Sequence, residues 1–220
     1  MNIHCVKWGD KYSPDYVNRL YSMVDRHCPG KFDFHCHTDD PSGIAPWMHT
    51  HKLTGNLEGW WNKLEVLNSF QTGDNILFDL DIVILNPFHR LYNTNTRTLT
   101  VLFSHWKQTY LTPDRNDGPP TTYNSSIMKW SGAQGMDVYN YFQKHFDKIL
   151  FKYKGIDKYL YNEDVQVDTF QSGIAYSYWK GAIYKKDHMA KKLRDDYEIC
   201  ILNEGEKQES LDGWIYDYWR

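Results

Sequence analysis

Two aspartates, Asp79 and Asp81, interrupt the most apolar stretch of the chain, Ile76-Leu77-Phe78-Asp79-Leu80-Asp81-Ile82-Val83-Ile84-Leu85. In a single strand the alternation of side chains turns both carboxylates to one face and Leu80 to the other. Two adjacent carboxylates in apolar surroundings repel each other and lose hydration. A divalent cation on that face removes both costs, and hard oxygen ligands suit Mg²⁺ or Mn²⁺. The alternative is an exposed strand end that the aspartates merely solubilise. The chain carries no Walker motif and no GxGxxG, the glycine-based ways of cradling a phosphate. A metal bridging two phosphoryl oxygens takes over that task and stabilises charge on a departing nucleoside diphosphate. The chemistry expected of Asp79 and Asp81 is therefore transfer from a nucleotide sugar rather than nucleotide hydrolysis.

Other candidates carry less. His49-Thr50-His51 offers two imidazoles from a loop, with no further ligand signal, and reads as solvent-exposed. His35 and His37 share a strand face and read as partly buried packing residues. Trp60 and Trp61 point apart on a helix, so one belongs to the core; the other, taken as Trp61, lines a sugar pocket. The 9 Trp and 17 Tyr suit carbohydrate sites, cores and interfaces alike. A net charge of -3 gives no reason to expect nucleic acid as a partner. Cys5, Cys28, Cys36 and Cys200 form no CxxC pair, so neither a zinc knuckle nor a redox motif is signalled. Reduced cysteines, no signal stretch and no run long enough to span a bilayer together predict a cytoplasmic protein.

The elements that must position these groups follow from periodicity and turn residues. Ile3 to Trp8 reads as a first strand, and Ser13-Pro14 opens a helix with Tyr16, Leu20, Met23 and Val24 on one face. Phe32, Phe34 and Cys36 alternate along a second strand that ends at Thr38-Asp39-Asp40-Pro41. A loop is expected from Ser42 to about Leu57, a helix from Gly59 to Ser69, and a doubly covered strand from Asn75 to Leu85. Thr98 to Phe103, Asn124 to Met128, Ile174 to Tyr178 and Tyr197 to Leu202 read as later strands, and Met136 to Phe146 as a helix. The stretches Leu111–Thr122 and Gly155–Ser172 have little clear pattern. Strands alternating with helices predict an α/β fold in a single domain.

The DxD strand resembles that of GT-A glycosyltransferases, and further fragments resemble a group of small bacterial and phage transferases of that type. These are Val6 to Tyr12, Tyr16 to Leu20, Val24 to His27, Thr38-Asp39-Asp40 with Gly43-Ile44, and Gly59 to Leu64. Tyr123 to Ser126, Gly155 to Lys158, Tyr176 to Tyr178 and Gly213 to Arg220 follow in matching order. The resemblance implies a Rossmann-like, mixed and mostly parallel sheet flanked by helices. Residues 1–90 would form the nucleotide-binding half and 91–220 the acceptor half. It implies a UDP-sugar donor, Mn²⁺ or Mg²⁺, and an unknown glycan, lipid or protein acceptor. Trp8, Gly9, Asp10, Tyr12, Thr38, Asp39 and Asp40 would meet the base and ribose; Lys63, Asp79 and Leu80 would meet the rest of the donor. Asn124, Ser125 and Ser126 would bind substrate, and Asp157 would face the sugar as the catalytic carboxylate, with Glu163-Asp164 in reserve. Where the group's last strand supplies a histidine to the metal, this chain has Asn203-Glu204, and Lys207 would stand near a phosphate. That departure, and Lys158 in place of a glutamine, keep a catalytically silent sugar-nucleotide-binding protein as the alternative. A haloacid-dehalogenase-type phosphatase is the remoter rival.

Overall fold

The computed structural model describes residues 1–107, 121–184, 190–203 and 213–220. Seven strands form one sheet: β1 (Asn2–Lys7), β2 (Asp33–Thr38), β3 (His49–Lys52), β4 (Asp74–Phe78), β6 (Leu99–Phe103), β7 (Tyr123–Ser131) and β8 (Val167–Thr169). Their order is β3-β2-β1-β4-β7-β6-β8, and only β7 runs against its neighbours. A smaller sheet pairs β5 (Ile82–Ile84) with β10 (Ile199–Ile201), which lies parallel to β9 (Ala175–Ser177). This is the mixed, mostly parallel α/β architecture expected.

Helices cover both faces of the large sheet. α1 (Pro14–His27) starts on Pro14, whose missing N–H costs nothing at a helix start, and Ser13 makes no side-chain cap. Its buried stripe of Tyr16, Val17, Leu20, Met23 and Val24 packs with Ile3, Cys5, Phe34, Cys36, Ile76 and Phe78. Burying each such aliphatic or aromatic side chain contributes roughly 1.5–3 kcal/mol, so packing rather than capping holds this helix. On the other face a 3-10 turn (Gly59–Asn62) leads into α2 (Lys63–Ser69). α4 (Met136–Lys144), α5 (Phe146–Lys152) and α6 (Ile156–Asn162) close a second core over Leu77, Val101, Met128 and Trp130. Short α3 (His89–Asn93) and α7 (Trp214–Tyr218) complete the described helices.

Four expectations change. The run Asn75 to Leu85 is two strands in two different sheets, with Asp79-Leu80-Asp81 at the crossing. Asp79 N–H still donates to Ser126 O (2.9 Å), whereas Leu202 N–H donates to Asp81 O (2.9 Å), so the chain passes from one ladder to the other within the motif. The run is apolar on either side of the motif because the strands on both sides of the crossing are buried. Second, the loop 42–57 contains β3, an edge strand with no apolar residue and hence no alternation to read. Third, the helix expected from Met136 to Phe146 ends at Lys144, and α5 follows from Phe146. Fourth, the patternless stretch 155–172 holds α6 and β8.

β3 also completes a histidine face. In register, His4 on β1 faces His35 on β2, and His35 and His37 face His49 and His51 on β3. His4 Nδ1 lies 3.2 Å from His37 Nε2, and His35 Nδ1 lies 3.0 Å from His51 Nε2. Phe70 packs against His4, His35, His37 and His51, with ring centroids between 4.3 and 5.4 Å.

Candidate active site

Asp79 directly follows β4, beside the buried Lys63 at the start of α2, with Lys63 Nζ 2.6 Å from Asp79 Oδ1. Lys63 Nζ also donates to Ser125 O (2.9 Å) and Ser125 Oγ (3.2 Å). Ser125 can serve in this way because of a bulge. The β6–β7 register passes from Val101↔Met128 directly to Leu102↔Asn124, leaving Ser125, Ser126 and Ile127 unopposed on that side. Bulges re-aim backbone groups in this manner beside functional sites. Ser125 N–H donates in the other direction, to Asp157 Oδ1 at 2.9 Å, and Lys107 Nζ stands 4.0 Å from Asp157 Oδ2. One bulged residue therefore links the ion pair at the DxD corner to the carboxylate at the start of α6.

Among the described residues Asp81 has no such cation in contact. Burial first, and then Asp79, push its carboxyl up to about 6, and the opposing pull of Lys11 and Lys63 does not cancel this. Tyr12 hydrogen-bonds Asp81; its phenol is raised by burial first and then by the charges of Asp81 and Asp79. Asp81 is thus a hard oxygen donor in need of positive charge, and the corner fits a divalent cation.

The ends of β1 and β2 meet at the same edge. Gly9, at φ +62°, donates its N–H to Asp39 Oδ2 at 3.0 Å, which ties the two turns together. Thr38 Oγ1 donates to Asp40 O (2.9 Å), and the Asp40 carboxylate accepts Ser42 N–H (2.9 Å). Trp8 and Asp10 flank Gly9, both exposed. Because β2 and β4 lie on opposite sides of β1, the crevice between these turns and Asp79 is a topological switch point, where parallel sheets receive ligands.

No family model and no curated protein matches the chain. Solved structures do. A structure of the galactosyltransferase LgtC in complex with donor and acceptor sugar analogues matches over 99% of this chain and 94% of that one, with TM-score 0.66 and 12% identity. A structure of an active-site mutant of LgtC matches over the same shares with TM-score 0.63 and 11% identity. The apo form of the glycosyltransferase GlyE of Streptococcus pneumoniae TIGR4 matches over 80% of this chain and 46% of that one, with TM-score 0.54 and 9% identity. The chain has the GT-A glycosyltransferase fold.

Within the GT-A frame the remaining residues fall into three groups. Asp79, Asp81, Tyr12, Lys63, Ser125 and Asp157 form one connected cluster, with Leu80 buried between the aspartates. Asn203 follows Leu202, whose N–H is bonded to Asp81 O, and Asn203 Oδ1 accepts Ser177 Oγ–H at 2.7 Å. Glu204 and Lys207 lie outside the described residues.

Two assignments are corrected. Trp61 is buried, with its ring stacked 5.4 Å from Phe142, and it belongs to the core rather than to a sugar pocket; Trp60 is the exposed indole. Glu163 is not a spare carboxylate, since Lys152 (2.8 Å), Tyr153 (2.6 Å) and Tyr141 (2.7 Å) all bond to it. Asn124, Ser125 and Ser126 are buried, and Asn124 Oδ1 accepts Ser126 N–H at 3.0 Å, so their visible work is to shape the bulge. Sequence reasoning missed Lys107 and the Tyr12–Asp81 contact; both join residues distant along the chain, and no local pattern marks them. No helix among the described residues is long and apolar enough to cross a membrane.

Proposed function

We propose that the chain is a metal-dependent glycosyltransferase that moves a hexose from a nucleotide-diphosphate sugar, with UDP favoured, to an acceptor in the cytoplasm. The observation that carries this reading is the Asp79-Leu80-Asp81 corner, with Asp81 short of positive charge, at the ligand crevice of a GT-A fold. LgtC, solved with donor and acceptor sugar analogues, and GlyE share that fold and are glycosyltransferases. Residues 1–90 would hold the nucleotide and 91–220 the acceptor.

Among the described residues no three His, Cys, Asp or Glu side chains converge as a complete metal cage. Asp81 would hold Mn²⁺ or Mg²⁺ directly, Asp79 beside it, with Asn203 or Glu204 and donor oxygens as further ligands. The bound cation would neutralise charge on the departing diphosphate. Lys63 fixes Asp79 in place. The turns at Trp8-Gly9-Asp10 and Thr38-Asp39-Asp40 would receive base and ribose, and Lys207 a phosphate. Asp157, held by Ser125 N–H, would present its second oxygen to a sugar hydroxyl.

Incubation with UDP-, GDP- and other activated hexoses plus Mn²⁺ tests this. Slow release of nucleoside diphosphate that stops in excess chelator is expected. Nucleotide-sugar binding without turnover would mark a silent binding protein, and release of inorganic phosphate from simple esters a phosphatase.

A further inference from the structure

Trp60 is 54% exposed, although an isolated indole loses hydrophobic stabilisation by facing water. Its position is not that of a loose loop residue. It precedes Lys63 by three positions, so the two share a helical face, and Lys63 on that face reaches Asp79. Trp61 and Leu64 are buried, with Trp61 stacked on Phe142, which fixes the turn that carries Trp60. On its other side Trp60 meets the start of α6: a Cβ at Gly155 would stand 3.8 Å from Trp60 Nε1. Asp157 lies two residues further on, hydrogen-bonded through Ser125 to Lys63. The indole thus stands where the donor corner adjoins the Asp157 carboxylate.

We propose that Trp60 is the platform on which a pyranose ring of the acceptor stacks, which makes the acceptor a glycan rather than a lipid or a protein side chain. This rests on the transferase reading for the role of the ring, but not for its binding. A pyranose has one C–H face and a rim of hydroxyls. It needs one flat apolar surface with hydrogen-bond acceptors at the edge, and Trp60 with Asp157 supplies that pair. A lipid chain needs a contiguous apolar patch. The apolar sequence neighbours of Trp60, Leu57 and Trp61, are buried, while Glu58 is exposed and Gly59 half-buried, so no apolar stretch of this segment is exposed beside the indole.

The test is direct binding of methyl α- and β-D-hexopyranosides of the glucose and galactose series, read by saturation-transfer NMR in the presence of diamagnetic Mg²⁺ and UDP. Trp60→Ala should weaken the best glycoside at least roughly tenfold. Trp60→Phe should restore most of the affinity, and Trp47→Ala, which removes an exposed indole elsewhere, should leave it unchanged. Thermal melting by circular dichroism checks that each variant is folded. Equal glycoside affinity in wild type and Trp60→Ala would overturn the proposal, as would glycoside binding that Trp60→Phe fails to restore in a folded protein. If Trp60→Ala abolishes glycoside binding while wild type releases no nucleoside diphosphate from any donor, the platform stands and the transferase reading falls.

Discussion

At the carboxyl ends of β1 and β4, one carboxylate is paired and its neighbour is not: Lys63 pairs with Asp79 at 2.6 Å, and Asp81 beside them is pushed up to about 6. On the α2 side of β1, β2 and β3, a few residues away, a set of histidines is kept neutral instead. Burial, opposed at His4 by the Asn75 hydrogen bond and reinforced throughout by neighbouring rings, lowers His4 to about 3, His37 to about 2 and His35 to about 4. Asn75 Nδ2 is used by the Thr72 and Gly73 carbonyls, so Asn75 Oδ1 must accept from His4 Nε2–H (3.1 Å). Neutral His4 then has only a lone pair at Nδ1, and His37 donates Nε2–H to it. Among the described residues Asp81 in the first cluster has no cation in contact; the second cluster is held by ring-to-ring and Asn75 hydrogen bonds, with His35 Nε2 left over. Their linkage to pH runs in opposite directions. Asp81 has a raised pKa, so its stabilisation is complete below about 3.8 and is lost as pH rises through about 6. The histidines have lowered values, so their contribution is present above 6.5 and is lost as pH falls toward 4 and below.

The largest expected effect breaks the comparison at its acidic end. Asp81→Asn should lower Mn²⁺-dependent donor hydrolysis on the order of 10³-fold, the loss of several kcal/mol of charge stabilisation. The same change should leave the metal-free protein as stable as wild type or more so above pH 6, because it deletes a carboxylate without a cation. Full activity, or a clear fall in melting temperature at pH 7.5, would sink the account of Asp81 given above.

Lys63→Met comes next. Removing one partner of a buried ion pair costs on the order of 3 kcal/mol, because Asp79 is left without its cation. Chemical denaturation at pH 7.5 should show that loss, and the double variant Lys63→Met, Asp79→Leu should recover part of it. A single variant as stable as wild type would mean that the pair is not formed in solution.

A cation should separate the two clusters without any mutation. Added Mn²⁺ should raise the melting temperature at pH 7.5 by a few degrees and have little effect at pH 4.5, where Asp81 is protonated. Equal stabilisation at both pH values would point away from Asp81 as the ligand.

How far the sequence revealed these clusters differs for physical reasons. Asp79 and Asp81 stood out because charge inside an apolar run is rare, and that contrast survives whether the run is one strand or two. The fold class followed from the alternation of strands and helices, and α1 from its apolar stripe. The histidine face was hidden because it is assembled across three strands, and β3 has the sequence His49-Thr50-His51-Lys52, with no apolar residue to announce a strand. The link from Lys63 through Ser125 to Asp157 depends on a bulge, and register slips leave no periodic trace. Trp60 and Trp61 were separable only in kind: adjacency on a helix says that one faces inward, while the neighbours Phe142 and Tyr159, some eighty residues or more away in the chain, decide which.

The smallest effect sharpens the neutral end. His35 Nδ1 is within 3.0 Å of His51 Nε2, but His35 Nε2 is buried with no hydrogen-bond partner among the described residues. Whichever ring donates, one buried nitrogen goes unsatisfied, and each such group costs about 1–3 kcal/mol. Protonating His35 makes both its nitrogens donors, leaving a charged N–H without an acceptor. The groups that face it are His4, His49 and His51 across the strands and Phe70 above. The Asp33 carboxylate favours its charged form, and burial together with His51 and His49 outweighs that pull. His35→Phe keeps a ring of similar size against Phe70 and removes the titrating group, although it leaves His51 Nε2 to water. The expected result at pH 7.5 is a melting temperature within a few degrees of wild type. The expected result between pH 6.5 and 4.5 is a shallower fall than wild type shows, since one fewer site takes up a proton on unfolding. Parallel curves for the two proteins over that range would mean that His35 does not contribute to the acid limb.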